Sequence, residues 1–317
     1  MSAFHLEHVI ESQQFDRDIL ELVFKTADML KADLAGERKL GKYLDGKIMA
    51  SLFYEPSTRT RFSFESAMRR LGGSVITTEN AREFSSAAKG ESLADSTRII
   101  NGYADVIVMR HNEAGSAVRA AEISNIPVIN AGDGAGQHPT QALLDVYTIA
   151  DAFPGMKNLN VALVGDLRYG RTVRSLSYLL TKFVGIKITF VSPSVCRMEQ
   201  DIKQYLDKYG VPWQEEDDLA KVIRTTDCIY MTRVQKERFH SLEDYEAAAG
   251  KYILSPDLVA RMKQDAIIIH PLPRVDEIPA EIDLAPQARY FEQAQNGLYI
   301  RMALLYLLLG EEPVTSP

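Results

Sequence analysis

Short runs of β-branched and apolar residues alternate with helix-period segments along almost the whole chain, and this alternation restricts the fold more than any other feature. The runs fall at 48–53, 74–77, 106–109, 128–130, 161–164, 187–191, 228–230 and 266–269, and helical patterns occupy 60–71, 93–103, 117–124, 140–152, 172–183 and 198–209. Strands separated by helices pair in parallel through crossovers, and a parallel sheet needs helices on both faces. The expected class is therefore α/β, with doubly wound parallel sheets. Nothing repeats at a fixed period. A length of 317 residues with 46% hydrophobic content suits two medium domains with buried cores. In the stretch DAFPGMKNLN at 151–160, Pro and Gly end one helix before the next strand. The boundary is placed there: a first domain at 1–150 and a second at 151–290. The final helix, 293–309, is apolar around most of its girth. It is expected, within a segment 291–317, to pack back on the first domain, so that the chain crosses twice.

Charge narrows the partners. A net charge of -7 and a pI near 5.5 argue against a nucleic-acid or anionic-membrane surface, since either needs a basic excess. Any cationic patch must be local. Cys196 and Cys228 lie far apart without CxxC spacing, so neither a disulfide framework nor a zinc site is read from them, and no metal is expected. The longest apolar stretch, 303–309, is far short of the roughly 20 residues that span a bilayer. The N-terminal MSAFHLEHVIESQQF lacks the basic start, apolar middle and cleavage site of a signal peptide and is too acidic for a transit peptide. A soluble, cytoplasmic protein is expected; the chloroplast stroma is the alternative, for a mature form already stripped of a presequence.

The segment Glu55-Pro56-Ser57-Thr58-Arg59-Thr60-Arg61 follows a strand and opens a helix. A helix N-terminus offers free N–H groups and the positive end of a dipole, and hydroxyls beside a guanidinium complete an anion cradle. An isolated Ser-Thr start is usually an ordinary cap. Two hydroxyl–arginine pairs in series at the carboxyl end of a strand, where open α/β sheets bind ligands, favour phosphate.

The STRTR run with Phe62-Ser63-Phe64-Glu65 resembles the carbamoyl-phosphate signature of the aspartate and ornithine carbamoyltransferases. Further matches follow in order: Met109-Arg110-His111, Gln137-His138-Pro139-Thr140-Gln141, Gly165-Asp166-Leu167, Gly170-Arg171-Thr172, TRVQKER at 232–238 and His270-Pro271-Leu272-Pro273-Arg274. The resemblance runs from about the first strand to the last helix. It implies carbamoyl transfer from carbamoyl phosphate to an amino group through a tetrahedral intermediate, in a cleft between two domains, without a cofactor. Ser57, Thr58, Arg59 and Thr60 would hold phosphate. Thr60, Arg110 and His138 would donate to the carbamoyl oxygen, where negative charge builds. Gln141 would orient the carbamoyl amide.

Arginine's planar fork matches the two carboxylates of aspartate, and by resemblance Arg171, Arg233 and Gln235 bind that acceptor, with Leu272 and Pro273 beside its amine. The ornithine-specific branch carries Cys in its His-Pro-Cys-Gln and His-Cys-Leu-Pro motifs and a Ser-Met-Gly acceptor loop, whereas this chain has Thr140, Pro271 and TRVQKERF. In the segment Phe84 through Gly90, Ser85 and Lys89 match the loop that enters a neighbouring subunit's site, with Ser86 interchangeable with Ser85. A homotrimer with shared sites is implied. Glu55 would bridge to Arg171 or Arg238. The loop beginning Asn80-Ala81-Arg82 resembles plant-type members, which respond to uridine monophosphate; regulatory chains are the other partner the family allows.

Two other classes compete. GDLRYGRT at 165–172 fits the phosphate-loop pattern G-x-x-x-x-G-K-[ST] except for Arg at the Lys position. Against a nucleotidase, Asp166 would set a carboxylate beside nucleotide phosphates, and no apolar run ends in an acidic magnesium ligand. G-x-G-x-x-G is absent there too, so a dinucleotide-dependent oxidoreductase is weaker still. A silent scaffold homologue is disfavoured because every matched catalytic position carries the expected residue type.

Overall fold

A computed structural model describes residues 4–36, 40–81, 90–234, 241–248, 250 and 252–310. The chain divides into two compact units, Met1–Leu143 with Gln295–Pro317, and Leu144–Ala294.

Unit 1 holds a parallel sheet of β1 (Ile48–Phe53), β2 (Ser74–Glu79), β3 (Val106–His111) and β4 (Val128–Asp133), in the order β2-β1-β3-β4. Its helices are α1 (Arg17–Ala35), α2 (Thr58–Arg70), α3 (Leu93–Ile100) and α4 (Ser116–Ala121). Central strands β1 and β3 are buried almost throughout, and Ala50, Leu52, Ile107 and Met109 pack with Ala117 and Ala120 of α4. Full burial of a Leu, Ile or Met side chain contributes on the order of 1.5–3 kcal/mol. Helix α1 adds to the helices expected from the sequence, and its signals are ordinary. Asp16 caps Ile19 N–H at 2.8 Å, and Ile19, Leu20, Val23, Ala27 and Leu30 form one buried stripe.

Unit 2 holds five parallel strands in the order β7-β6-β5-β8-β9: β5 (Asn160–Val164), β6 (Lys187–Val191), β7 (Trp213–Glu216), β8 (Cys228–Met231) and β9 (Ile267–Ile269). Strand β7 was also not expected, because WQEE has no apolar run; only an edge position tolerates so polar a strand. Helices α5 (Pro139–Ala152), α6 (Arg171–Leu180), α7 (Gln200–Lys208), α8 (Leu219–Val222), α9 (Leu242–Ala248), α10 (Pro256–Val259) and α11 (Tyr290–Leu309) follow in chain order. The limits of the two units fall inside α5 and α11. Two doubly wound α/β sheets are thus present, as the alternation demanded. Each sheet has one topological switch point, between β1 and β3 in unit 1 and between β5 and β8 in unit 2.

Candidate active site

In unit 1 the STRTR run lies where a switch point places ligands. Strand β1 ends at Phe53, and α2 starts at Thr58 with Ser57 as its N-cap. Ser57 makes no side-chain cap bond, so its hydroxyl is not spent on its own helix. Thr58 and Arg59 are exposed, Thr60 is 7% exposed, and Arg59 has no ion-pair partner among the described residues. Desolvation lowers the Arg59 pKa, yet an arginine remains charged at neutral pH. The two arginines of the run divide. Arg61 pairs with Glu79 at 2.8 Å and lies 3.9 Å from Glu65, which makes it a structural residue bracing α2 against β2. From α11, Arg301 donates to Ser63 Oγ at 2.6 Å, and Ser63 donates to the Thr60 carbonyl at 2.9 Å, fixing the first turn of α2.

Arg110 ends up beside this turn through sheet geometry. The β3–β4 register shifts between Met109 and His111, a bulge that re-aims the intervening side chain. The buried guanidinium donates to Glu55 at 2.6 Å and to the Ala131 carbonyl at 3.3 Å, clamped across the ends of β1, β3 and β4. Within unit 1, Glu55 thus binds Arg110; of its expected partners, Arg238 lies outside the described residues.

His138 and Gln141 open α5 after β4, and the His138 carbonyl accepts from Gln141 N–H at 3.0 Å and Ala142 N–H at 3.2 Å. His138 is 4% exposed, with Nδ1 3.5 Å from Thr140 Oγ1. Its turn is tied by residues the sequence did not single out. Asp133 accepts from Gln137 N–H at 2.8 Å, Gly115 N–H at 2.7 Å and Asn130 Nδ2 at 3.2 Å. The N-terminal segment adds a second tie: Val9 bridges Ile129, and Ser12 N–H donates to Gln137 Oε1 at 2.9 Å. A capping-type Asp four residues before Gln137 was the available signal; the N-terminal contact, over 125 residues, had none. Ser85 and Lys89 lie outside the described residues.

In unit 2, β5 ends in the tight turn of Gly165, Asp166 and Leu167. Gly165 has φ +109, and a Cβ there would meet the Thr232 carbonyl at 2.4 Å, so only glycine fits. The Thr232 hydroxyl accepts from Asp166 N–H at 3.0 Å and donates to the Val164 carbonyl at 2.8 Å, locking this turn to the end of β8. Two candidate acceptor residues flank the lock: Arg171, 7% exposed, begins α6, and Arg233 follows Thr232. Leu272 and Pro273 follow β9. All four come to the carboxyl edge of adjacent strands; Gln235 lies outside the described residues. Asp166, 1% exposed, accepts from Tyr169 N–H at 3.0 Å inside the loop where a nucleotide's phosphates would sit, which weighs against the phosphate-loop reading.

Comparison with known proteins turns on both sheets together. The carbamoyl-P binding domain of the aspartate/ornithine carbamoyltransferases matches residues 7–151, and their Asp/Orn binding domain matches residues 157–308. The chain belongs to the aspartate/ornithine carbamoyltransferase family. A chloroplastic aspartate carbamoyltransferase of Arabidopsis thaliana is 58% identical over 98% of this chain and 79% of its own length. The catalytic subunit of M. jannaschii aspartate transcarbamoylase is 45% identical, with a TM-score of 0.89 over 96% of this chain and 98% of that one. Aspartate transcarbamoylase from Trypanosoma cruzi, solved in complex with carbamoyl phosphate and aspartate, is 37% identical with a TM-score of 0.89, covering 96% of this chain and 97% of that one. Among the described residues of this family member, no group of three or more His, Cys, Asp or Glu could hold a metal ion, and no helix is long and apolar enough to cross a membrane.

Proposed function

We propose that the carboxyl edges of the two sheets hold the reactants of an aspartate carbamoyltransferase. The chain is an enzyme that moves the carbamoyl group of carbamoyl phosphate to the amino group of L-aspartate, giving N-carbamoyl-L-aspartate and phosphate. The observation that carries the site assignment is the start of α2, where the Ser57 hydroxyl is left out of capping beside the clamped Arg110 and beside Arg59, which has no ion-pair partner among the described residues.

Ser57, Thr58, Arg59 and Thr60 bind the phosphate. The amine nitrogen of aspartate forms a bond to the carbamoyl carbon, and the C=O electron pair moves to oxygen, giving a tetrahedral intermediate. Thr60, Arg110 and His138 donate to that oxygen, and each such donor is worth on the order of a hundredfold in rate. Collapse breaks the carbon–oxygen bond to phosphate, and the departing phosphate takes the amine proton. Gln141 orients the carbamoyl amide, Arg171, Arg233 and Gln235 hold the aspartate carboxylates, and Leu272 and Pro273 steady the amine. The step balances in atoms and charge without metal or organic cofactor.

The site is shared in a homotrimer, with Ser85 and Lys89 entering from a neighbour. Plant-type likeness supports uridine monophosphate as an effector competing with carbamoyl phosphate. The enzyme works in the cytoplasm, or in the chloroplast stroma if it is a mature plant-type form. Colorimetric assay of carbamoyl aspartate, with ornithine as control acceptor, tests the reaction: product is expected from aspartate only, and product from ornithine alone would overturn the acceptor assignment. For the shared site, inactive Arg59→Ala and Lys89→Ala subunits are dissociated and reassociated in equal amounts. Random trimers should regain about a quarter of wild-type activity. Inactive hybrids, verified by native mass spectrometry, would refute sharing.

A further inference from the structure

Leu272 is held in a conformation that its own chemistry resists. Its φ of +56 lies in the left-handed region, which a residue carrying a Cβ disfavours. Such a backbone persists only when its surroundings over-determine it, and here they converge on one side chain. Leu272 N–H donates to His270 Nδ1 at 2.8 Å, and His270 Nε2 lies 2.8 Å from Glu277 Oε1. The His270 backbone N–H donates to Gln293 Oε1 at 2.7 Å, and Gln293 Nε2 donates to Asp145 Oδ1 at 2.6 Å. His270, Gln293 and Asp145 are 2%, 1% and 0% exposed, so the Gln293 bonds are shielded from bulk water and the ring's bonds to Leu272 and Glu277 are partly so.

The bonds settle which ring nitrogen carries the proton. A nitrogen that accepts the Leu272 amide has no proton of its own, so the ring is the neutral Nε2–H tautomer donating to Glu277. Glu277 is itself fixed. Its carboxylate accepts Val275 N–H at 3.2 Å, and its backbone carbonyl accepts Leu254 N–H at 2.9 Å. Burial pushes the Glu277 carboxyl up, but the bonds from His270 and the backbone outweigh it and hold the group below the usual carboxylate range. A carboxylate kept ionised keeps the ring oriented.

We infer that His270 is a positioning residue for the transfer reaction: clamped between Glu277 and the Gln293–Asp145 pair, its imidazole fixes the Leu272 backbone that steadies the attacking amine. The inference rests on the assignment of Leu272 made above. His270 is almost wholly buried and acts through Leu272, so its effect falls on the acceptor rather than on carbamoyl phosphate. Loss of the ring frees Leu272 to relax toward ordinary φ, misplacing a carbonyl for which a shift of about 1 Å costs on the order of a hundredfold.

Two substitutions separate this role from a merely structural one. His270→Ala removes both ring bonds, whereas His270→Asn keeps an acceptor close to the Nδ1 position and loses only the donor to Glu277. His270→Ala is expected to raise KM for aspartate and lower kcat by about tenfold each, with KM for carbamoyl phosphate changed less than about twofold, and His270→Asn to recover most of that loss. Equal impairment of the two variants, or equal rises in both Michaelis constants, would overturn the inference. Should His270→Ala fail to fold, Glu277→Gln should shift KM for aspartate alone by about two- to fivefold. A readout independent of activity is long-range ¹H–¹⁵N spectroscopy of ¹⁵N-histidine protein. One of the six histidines should remain the Nε2–H tautomer at neutral pH, and its signal should vanish in His270→Asn. A wild-type His270 signal of the Nδ1–H form would sink the clamp even in a fully active enzyme. Absence of carbamoyl aspartate formation by wild type would instead overturn the assigned reaction.

Discussion

The two units build their parts of the proposed site by opposite means. At the start of α2, hydrogen-bonding capacity is left unspent: the Ser57 hydroxyl makes no cap bond, and Arg59 has no ion-pair partner among the described residues. In unit 2 the local groups are spent on one another. Thr232 locks the Gly165 turn with two bonds, and His270 binds both Leu272 N–H and Glu277. An anion with three or four acceptor oxygens needs unsatisfied donors waiting for it, and a helix N-terminus supplies them on a rigid element. A small amine recognised by backbone carbonyls needs loops of fixed shape, and internal bonds supply that shape. Substitutions on the phosphate side should therefore affect function with little effect on stability, whereas those on the acceptor side should affect both.

The sharpest test of the phosphate side is Arg59→Ala. A charge-assisted contact to a dianion strengthens as phosphate leaves, so kcat should fall on the order of a hundredfold or more and carbamoyl phosphate affinity should weaken together with it. Because Arg59 is exposed, Tm should stay within about 1–2 °C of wild type. Near-normal kinetics would remove the STRTR segment from the site. Next in size, Arg233→Ala should raise KM for aspartate by about 10- to 100-fold, the range for losing a charged hydrogen-bond partner, with KM for carbamoyl phosphate nearly unchanged. Parallel rises in the two constants would end the division of labour between the units.

How much of this was legible in the sequence follows the same split. The strands and the STRTR turn were readable because local pattern decides them: β-branched runs, then hydroxyls and arginines opening a helix. The resemblance assigned phosphate to Arg59 and not to Arg61, but the ion pair that occupies Arg61 was not legible, since it depends on Glu79, a residue of the neighbouring strand β2. The Arg110 bulge depends on β4 register, and the tie between Ser12 and Gln137 spans the whole of unit 1's sheet in sequence. Strand β7 is hidden by its polarity, whereas α1 carries a clear cap and stripe and is legible from local pattern. In unit 2 the motifs marked Thr232 and His270 as members of the pattern but not as locks, because their bonds run to the backbone of Asp166, Val164 and Leu272, partners that only the fold brings within reach.

The smallest effects make the most discriminating pair. Ser57→Ala and Thr232→Val each delete one hydroxyl beside a ligand-binding turn, so a view in which both are ordinary site residues expects similar outcomes. Replacing a working N-cap serine by alanine costs about 0.5–2 kcal/mol. Ser57 makes no cap bond, so Ser57→Ala should leave stability within about 0.5 kcal/mol of wild type in urea unfolding while weakening carbamoyl phosphate binding several-fold. Thr232→Val preserves shape but strands the buried Asp166 N–H, which the hydroxyl now satisfies at 3.0 Å. An unsatisfied buried donor costs about 1–3 kcal/mol, so this variant should lose stability by that amount, with only a few-fold rise in KM for aspartate as the Gly165 turn loosens. The contrast between the units requires the two variants to separate on both axes. Equal losses of stability would mean that Ser57 caps α2 after all and that the phosphate cradle has less spare capacity than its geometry indicates. An unperturbed Thr232→Val would show that the glycine turn holds its shape by backbone conformation alone, leaving Arg171 and Arg233 placed by the sheet rather than by the hydroxyl between them.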